Sequence, residues 1–503
     1  MSSVLRLYVR RLLRSALLLM AVIVPAAFAA PQDSITSLSY QLQPALVDGK
    51  LEALDMRMAF DMPASGLARI RPPQGIGQET PSRKVMATAV HAGTLASTSD
   101  GIWTLHAAAG SRVEILYRLT PATDATLVGG SGYQDILMGA DWFQGMGENL
   151  FAHPDGDTKA VVRFEWKGPV TWMLVTPLQE LAKAGPLTLQ NLLQTTMVGG
   201  THVQRATRPI RGGTLRMAAV GHWMIPLDGY ADIAAAVISE QRAFWNDTTG
   251  PFTVTVVAMD RNDYFNAGVG RDGAFAAYVA RKVTPVTVHG LITHEYTHMW
   301  IPRRTGRMPD GADEPLAYWY SEGFTVFHTS RAMLGSGAWT LQDFANDFNS
   351  ISTGYDMSPA RHITNSEVAT GFWKSRDVQE VPYKRGAILA WILDARLRAR
   401  TQGHKTMNEV LLHMRDRFAA NPSLGVRANL VRSYADEGGG AIEDWLSRYI
   451  DKGEQMALPG RLFEGCLKML EEQKAGIGRV RSVMVVPGLS EDALKGCVKR
   501  IGR

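Results

Sequence analysis

The sequence predicts a multi-domain protein of the α+β class. Its 503 residues, 46% of them hydrophobic, suffice for about three domains with substantial cores. The early part of the chain alternates apolar and polar residues over short segments bounded by Gly, Pro and Asp, which is typical of antiparallel strands. Residues 346–455 instead read mostly as helices, for example over TMNEVLLHMRDRFA and GAIEDWLSRYIDKG. We therefore expect strand-rich and helix-rich regions that are segregated along the chain.

Residues 1–29 predict a secretory signal peptide. A start with four arginines precedes the apolar run SALLLMAVIVPAAFA, and the tripeptide AFA at its end has the small-x-small pattern of a cleavage site. A retained membrane anchor is the alternative, but the apolar run is short for a helix that spans a bilayer. We expect cleavage near Ala29/Ala30, a periplasmic or secreted mature protein, and no membrane contact beyond export.

The charge balance gives no reason to expect a nucleic-acid partner. The whole chain has 53 basic and 48 acidic residues, a net charge of +5. The predicted leader contains four of the arginines and no acid, so the mature chain retains 49 basic residues against 48 acids. A chain with a net charge near zero lacks the basic surface that binds nucleic acids or anionic membranes.

Residues 30–205 are predicted to form a β-rich, sandwich-like domain. Short alternating segments such as SLSYQLQPAL, KLEALDMRMAF and RVEILYRLT are separated by turn-forming residues. Such a domain could shape one wall of an active-site cleft, or it could serve only for stability or interaction. The sequence supports both interpretations equally.

Residues 206–345 are predicted to form a catalytic domain. DIAAAVISEQRAFW has the spacing of an amphipathic helix, and PFTVTVVAM has the apolar, β-branched composition of a buried strand. These segments precede TPVTVHGLITHEYTHMW (residues 284–300). This stretch predicts a helix that begins at the pair Thr284-Pro285, which suits an N-cap and a first turn.

The predicted helix carries the motif His294-Glu295-Tyr296-Thr297-His298. Residues four apart on a helix lie on one face, so both imidazoles can point at a single metal ion. Glu295 then projects beside the metal, where it can take a proton from water. The motif therefore predicts a hydrolytic zinc site.

A catalytic zinc usually has three protein ligands and an open fourth position. The second apolar stretch, PLAYWYSEGFTVFHTSRAM, is predicted to be helical and supplies Glu322 as the third ligand. Two imidazoles and one carboxylate suit a single zinc ion. Asp310, Asp313 and Glu314 are alternative third ligands, but they lie in a polar loop before a proline. The remaining histidines of this half match no ligand spacing and are expected to be surface or satisfied core residues: His328, His362, His404 and His413.

The segments HEYTHMWIPRR, YWYSEGFT and VPYKRGAILAWILD, in this order, resemble the glycyl aminopeptidase family of zinc metallopeptidases. These are gluzincins related to the aminopeptidase N family. The resemblance covers roughly residues 284–394 and implies a thermolysin-like catalytic domain with one zinc ion, a helical lobe that closes the cleft, and a peptide or protein substrate. It also implies that the Tyr383 hydroxyl faces the zinc and stabilises an oxyanion by a hydrogen bond; a packing tyrosine is the alternative.

The segment AGVGRDGAFAAYV (residues 267–279) departs from the pattern of the family it resembles. In that family an edge strand before the metal helix carries a Gly-rich motif, whose glutamate holds the free amino group of the substrate. Here Arg271 and Asp272 stand where that acid is expected and are candidate substrate-binding residues, and Asp272 could replace the glutamate. Arg303-Arg304 match a basic pair of the family and either bind a substrate carboxylate or form an ordinary solvated pair.

Residues 456–503 follow the predicted helical lobe and contain both cysteines, Cys466 and Cys497. In an exported chain they predict one disulfide, with two free thiols as the alternative. Many members of the family that the chain resembles carry a C-terminal PDZ domain, for which this segment is too short. We therefore expect no partner that binds through a PDZ domain.

Together these residues predict an exported zinc metallopeptidase that is aminopeptidase-like. An endopeptidase, or a hydrolase of a non-peptide substrate, is the alternative because of the changed residues 267–279. A non-catalytic binding protein on a peptidase scaffold would require the loss of a ligand or of the base, and neither is lost.

Overall fold

The structure, a computed structural model, describes residues 34–73, 84–99, 101–120, 135–156, 160–221, 226–259, 265–280 and 282–502. The predicted signal peptide lies outside these residues. None of the helices in these ranges combines the length and the apolar character that a bilayer crossing requires.

The β-strands, numbered in chain order, are β1 (Ser37–Val47), β2 (Lys50–Asp61), β3 (Leu67–Arg71), β4 (Lys84–His91), β5 (Thr94–Ser97), β6 (Trp103–His106), β7 (Arg112–Thr120), β8 (Leu137–Met138), β9 (Trp142–Met146), β10 (His153–Pro154), β11 (Val161–Trp166), β12 (Met173–Val175), β13 (Leu187–Thr188), β14 (Thr196–Gly200), β15 (Gln204–Ile210), β16 (Gly213–Val220), β17 (Phe252–Met259), β18 (Asn266–Arg271), β19 (Ala274–Ala280), β20 (Leu467–Lys474) and β21 (Gly478–Val485).

The α-helices are α1 (Gly147–Leu150), α2 (Leu178–Ala184), α3 (Leu189–Leu193), α4 (Leu227–Trp245), α5 (Pro285–Thr297), α6 (Tyr318–Gly335), α7 (Leu341–Met357), α8 (Asn365–Gly371), α9 (Arg376–Arg400), α10 (Met407–Ala420), α11 (Val426–Asp436), α12 (Glu443–Trp445) and α13 (Glu491–Ile501). A 3₁₀ segment covers Gly311–Ala317 and a π segment covers Leu446–Asp451.

The strands up to β14 form three sheets around one hydrophobic core. Their orders are β13-β11-β1-β2-β7-β4, β10-β3-β6-β5 and β12-β14-β9-β8. Alternation of side chains explains how they pack: in β7, Val113, Ile115, Tyr117 and Leu119 are buried and the residues between them are not. All three sheets contribute to the same cluster of buried residues. This part of the chain is thus rich in strands, as its alternation predicts.

Two buried tyrosines connect this core to the segment after α1. The Tyr40 hydroxyl donates to the Ala152 carbonyl oxygen at 2.7 Å. The Tyr117 hydroxyl donates to the Leu150 carbonyl oxygen at 2.9 Å and accepts the Ala152 N–H at 3.0 Å. These bonds hold the end of α1 against the six-stranded sheet, and they thereby position Glu148 within that helix.

A mixed five-stranded sheet with the order β15-β16-β17-β19-β18 follows. Strands β16, β17 and β19 run parallel, whereas β15 and β18 are antiparallel edges. The central strand β17 is almost continuously buried, as expected for a strand that is covered on both faces. Helices α4 and α5 pack on one face, and the sheet that contains β14 packs on the other. Strand β18 lies at one edge, next to α5.

Helices α6, α7, α9, α10 and α11 share one large hydrophobic cluster. Within it, α6 and α9 approach each other closely at two glycines. A Cβ atom built on Gly323 would lie 2.4 Å from Gly386 Cα, and one built on Gly386 would lie 1.8 Å from the Trp319 carbonyl oxygen. Because no side chain fits between the two helices there, both positions require glycine.

The last described residues form the hairpin β20–β21 and helix α13. Cys466 and Cys497 form a disulfide between the start of the hairpin and α13, which confirms the predicted pairing. Arg481 in β21 forms a fully buried ion pair with Asp356 in α7 at 2.5 Å. Arg331 in α6 donates to a backbone carbonyl oxygen of α13 at 3.2 Å. These contacts attach the C-terminal segment to the helical region.

Three helices of the C-terminal half begin at a threonine N-cap. Thr340, Thr364 and Thr406 cap α7, α8 and α10, and in each case the acid three residues later accepts the backbone N–H of the threonine. The structure thus confirms a mixed α+β architecture with several sheets and a helical region toward the C-terminus.

Candidate metal centre

Helix α5 begins where its sequence predicts. The Thr284 side chain accepts a backbone N–H of the first turn, and Pro285 follows it. His294 and Glu295 lie near the other end of the helix, and His298 forms its C-cap. Because the two histidines are four residues apart, their rings share one face, with centroids 4.8 Å apart.

Three side chains converge between α5 and α6. His294 Nε2 lies 3.2 Å from Glu322 Oε2 and 3.2 Å from His298 Nε2. His298 Nε2 lies 3.4 Å from the same Glu322 oxygen. Atoms that bind one tetrahedral zinc ion at about 2.0–2.1 Å are separated by about 3.3 Å, so the donor set and its spacing fit zinc. Within the ranges that the structure describes, no other group of three His, Cys, Asp or Glu side chains converges in this way.

The alternative acids belong to a different element. Asp313 and Glu314 lie in the 3₁₀ segment that precedes α6, and Asp310 forms its N-cap. Burial, together with the negative charge of Glu322, raises the pKa of the Glu314 carboxyl. Glu314 is therefore a neighbour of the site, but it is not one of the three convergent side chains.

A backbone carbonyl orients His298. Its Nδ1 lies 2.9 Å from the Ile301 carbonyl oxygen, to which it donates. This bond places the ring proton on Nδ1 and leaves the Nε2 lone pair free for a metal. No sequence signal identifies this partner, because every residue type offers a backbone carbonyl.

The convergent side chains shift each other's pKa values. Burial alone would lower the pKa of His298, but the adjacent Glu322 carboxylate raises it to about 9. Burial would raise the pKa of Glu322, but His298 and His294 hold it well below its usual range. The carboxylate thus stays ionised and offers a negative charge to a shared cation.

Glu295 lies between α5 and the edge strand β18. A Cβ atom built on Gly268 would lie 2.8 Å from Glu295 Cγ, and one built on Gly270 would lie 3.8 Å from Glu295 Oε2. The absence of side chains at these glycines leaves the Glu295 carboxylate against bare backbone. Burial raises the pKa of Glu295, which makes the carboxylate a stronger proton acceptor, as suits a general base near neutral pH.

Helix α9 brings Tyr383 to the site. The Tyr383 ring stacks near His294, with centroids 6.2 Å apart, and its hydroxyl lies close enough to the Glu322 carboxylate to interact with it. Burial and the charges of Glu322 and Glu295 raise its pKa well above the usual value. The hydroxyl therefore remains protonated and can donate a hydrogen bond. The glycine contact between α6 and α9 makes this approach possible, because Gly323 directly follows Glu322.

Arg385 is a buried residue that binds backbone carbonyl oxygens. Its side chain is 1% exposed and donates to the carbonyl oxygens of Arg361 and Ile363 at 3.0 and 2.7 Å. It thus ties α9 to the segment between α7 and α8.

Arg271 and Asp272 occupy the end of β18 and the turn after it. Arg271 is buried, and its Nη2 lies 3.2 Å from Glu148 Oε2 in α1. Asp272 is exposed in the tight turn between β18 and β19. The sequence did not single out Glu148, because its contact with Arg271 spans 123 positions.

Arg303 and Arg304 have different surroundings. The Arg304 guanidinium lies 4.2 Å from the centre of the Trp300 ring, over its face. Arg303 is exposed, and its positive charge acts on both Glu295 and Arg271. Arg304 is therefore a packing residue, whereas Arg303 contributes to the electrostatic field of the site.

Among known proteins, this chain is similar in fold to several solved structures. No protein-family model matches the chain, and no curated protein matches it. Among solved structures, an aminopeptidase N family protein from Idiomarina loihiensis aligns with a TM-score of 0.70 at 14% identity, covering 86% of this chain and 79% of its own. An M1 zinc metallopeptidase from Deinococcus radiodurans aligns with a TM-score of 0.51 at 13% identity, covering 85% of this chain and 96% of its own. The chain therefore has the fold of these aminopeptidase N and M1 metallopeptidase structures.

Proposed function

We propose that the protein is a zinc-dependent metallopeptidase whose single zinc ion is held by His294, His298 and Glu322. The observation that carries this proposal is the spacing of the three ligand atoms, 3.2–3.4 Å from one another, in a chain with the fold of known metallopeptidases. Zinc, when bound, supplies a Lewis acid that polarises a carbonyl and lowers the pKa of water.

Glu295 and Tyr383 then perform separate tasks. The Glu295 carboxylate accepts the proton of the attacking water and returns it to the leaving amine. The Tyr383 hydroxyl, which stays protonated, donates a hydrogen bond to the oxyanion that develops on the scissile carbonyl. The position of its ring beside His294 keeps it near the ligand set before substrate arrives.

The edge strand favours a peptide substrate. Strand β18 is the last strand of its sheet, and an extended peptide can pair with such an edge through main-chain hydrogen bonds. Gly268 and Gly270 leave Glu295 against the strand backbone, so a peptide that adds to β18 passes directly over the base. The geometry therefore supports hydrolysis of an extended peptide rather than of a compact molecule.

The proposal includes export and an aminopeptidase-like mode of action. A structural disulfide between Cys466 and Cys497 suits an oxidising compartment such as the periplasm or the exterior. The alternative is an endopeptidase, or a hydrolase of a non-peptide substrate, and the observation that favours it is Arg271. A buried cation at the end of β18 repels the free amino group that an aminopeptidase binds.

The test is hydrolysis of one peptide in its free and its N-acetylated form by the zinc-loaded protein. The Glu295→Gln variant should retain zinc and lose about 10²- to 10⁴-fold of turnover. The matched control is Glu314→Gln, which changes an acid beside the site and should leave turnover intact. Cleavage of the free form alone supports an aminopeptidase, with Asp272 or a neighbour holding the amine, and cleavage of both forms supports an endopeptidase. Bound zinc without hydrolysis of either form would reject the peptidase and favour a binding protein.

A further inference from the structure

We propose that a cavity at the junction of α9, α10 and α13 binds a phosphate group, either free or as the monoester of a small molecule. The cavity has a volume of about 390 Å³. Six charged or polar side chains line it: Arg398, Thr406, Asn408, Glu409, Lys499 and Arg500. None of them belongs to the candidate metal centre, so this inference does not depend on the proposed function.

Positive charge exceeds negative charge around this cavity. Its lining contains three cations, in α9 and α13, and one acid, Glu409 in α10. Glu409 caps its own helix, because its Oε2 accepts the Thr406 backbone N–H at 2.7 Å and the Thr406 hydroxyl at 2.9 Å. A surplus of cations around a concave surface attracts an anion.

Lys499 and Arg500 offer donors that an entering anion can reach. Both side chains are exposed. The Lys499 ammonium makes no ion pair or hydrogen bond within the part of the chain that the structure describes. Arg500 donates through Nη2 to the Glu464 carbonyl oxygen at 2.6 Å and touches Cys466 Sγ with the same nitrogen. Its Nε and Nη1 donate to no described residue, so the guanidinium is held in place and keeps donors for a ligand.

A buried arginine behind the cavity adds to the surplus of positive charge. Arg331 in α6 is 1% exposed, and its Nη1 lies 3.8 Å from Asp394 Oδ1. Asp394 already accepts Arg398 Nε at 2.7 Å and the Met407 backbone N–H at 2.8 Å. Neither Nη1 nor Nη2 of Arg331 has a hydrogen-bond partner among the described residues. One acid thus serves two guanidiniums, and Arg331 contributes an incompletely neutralised charge without itself touching the ligand.

Helix α10 begins at the wall of the same cavity. Thr406 is its N-cap, and Asn408 lies in its first turn. The amino end of this 14-residue helix carries a partial positive charge. The backbone N–H groups of Thr406, Met407 and Asn408 are bonded to side chains. The helix therefore contributes its dipole, and the direct donors come from side chains.

The size of the cavity suits a small phosphorylated molecule. A phosphate monoester carries about −1.5 to −2 charges at pH 7 and three acceptor oxygens, which match two exposed cations and the field behind them. A volume of about 390 Å³ lies within the range of about 300–1,000 Å³ that is typical of small-molecule sites. Gly496 keeps one side open, since a Cβ atom built on it would meet no atom within 4 Å.

The competing interpretation is that these cations only keep the surface around α13 soluble. Salt ions would then screen them without a defined position, and every anion would act alike at the same ionic strength. A phosphate site differs in two ways. Its binding saturates, and it requires the cations that line the cavity.

The experiment is isothermal titration calorimetry of the zinc-loaded protein at one ionic strength, set with sodium chloride. The probes are inorganic phosphate and glycerol 3-phosphate, and glycerol is the uncharged control. We expect saturable binding of at least one anion with a dissociation constant of about 1 mM or below, and no binding of glycerol. Tighter binding of glycerol 3-phosphate assigns the site to a monoester, whereas equal or tighter binding of phosphate assigns it to the free ion. No saturable binding of either anion overturns the inference.

The variants Lys499→Gln and Arg500→Gln should each weaken anion binding by about tenfold, as expected for the loss of one charge-assisted contact. Gly496→Asp places a carboxylate in the cavity and should abolish binding. Lys495→Gln is the matched control, because Lys495 lies on the same helix outside the cavity lining and pairs with Glu491 at 2.7 Å. If Arg500→Gln does not fold, the exposed Lys499 still gives the answer.

The same variants separate this cavity from the metal centre, where phosphate could also bind to zinc. The zinc ligands are intact in Lys499→Gln and Gly496→Asp, so an anion bound to zinc keeps its affinity in both. Unchanged affinity in these two variants overturns the inference. Thermal unfolding gives a second readout, because an anion that binds only the folded state raises the melting temperature. This rise should shrink in Lys499→Gln and persist in Lys495→Gln, and an equal rise in all variants would show a general salt effect and reject the site.

Discussion

Helices α5 and α6 carry histidines in two contrasting environments. His294 and His298 share the Glu322 carboxylate at 3.2 and 3.4 Å, and this acid raises the pKa of His298 to about 9. His289, also on α5, packs beside the Tyr230 ring, and burial lowers its pKa to about 4. The same helix thus holds two histidines beside a carboxylate and one in an apolar environment.

His328 shows the second environment on α6. Its ring lies 4.9 Å from the Phe244 ring and 5.5 Å from the Trp245 ring. Burial lowers its pKa to about 3, with a further contribution from Arg331. Neither ring nitrogen has a hydrogen-bond partner among the described residues, so His328 is a core histidine but not the satisfied one that the sequence predicts.

The comparison teaches that a partner acid, rather than burial, separates the two convergent histidines from the two core histidines. All four rings are largely enclosed, yet only the two that face Glu322 are poised to bind a cation. Removing Glu322 should therefore convert one environment into the other, and removing a structural histidine should leave the metal site unchanged.

The largest effect is expected from Glu322→Ala. Without the carboxylate, two imidazoles remain, and zinc affinity should fall by about 100-fold or more, since even residues behind the ligands are worth 10–100-fold. Zinc per chain, measured by elemental analysis after dialysis, should drop together with peptide hydrolysis. Glu314→Ala is the control that should keep full zinc. Full zinc occupancy in Glu322→Ala would show that another acid is the third ligand.

Tyr383→Phe is expected to have the next largest effect. The variant keeps the ring that stacks near His294 and loses only the hydroxyl, so zinc content and stability should not change. Turnover should fall by about 10²- to 10³-fold, as for other single donors to an oxyanion. Steady-state kinetics and zinc analysis of the same preparation provide the measurement. An unchanged kcat would assign Tyr383 to packing alone.

The smallest effect is expected from His328→Leu, and it concerns stability. The pKa of His328 is about 3 when folded and 6.5 when unfolded, so the unfolded chain binds more protons between these values. The folded state therefore loses stability as the pH falls below 6.5, by about 2 kcal/mol at pH 5 from this residue. His328→Leu should lose less stability than the unmodified protein between pH 7 and pH 5.

Urea unfolding at the two pH values measures this difference. His404→Gln is the control, because His404 is exposed, and it should lose as much stability as the unmodified protein. The zinc content of His328→Leu should equal that of the unmodified protein, which would show that this core histidine does not contribute to the metal site. An equal loss of stability in His328→Leu and the unmodified protein would show that His328 does not titrate as its burial indicates.

Much of this protein follows from local sequence patterns. The spacing within residues 294–298 brings two histidines onto one helical face, and the Thr284-Pro285 pair predicts where that helix begins. Alternation predicts the strands of the early part of the chain, and two cysteines predict the disulfide. These features depend on neighbours a few residues apart, where helix and strand periodicity is the dominant constraint.

Other features depend on contacts between distant segments, which periodicity does not encode. Packing decided that Arg271 meets Glu148 across 123 positions and that the Ile301 carbonyl orients His298. The approach of Tyr383 to Glu322 likewise depends on how α9 docks against α6 at two glycines. Local spacing thus specified which histidines share one helical face, whereas the packing of separate elements determined which charges surround them, because a charge acts on whatever lies near it in space.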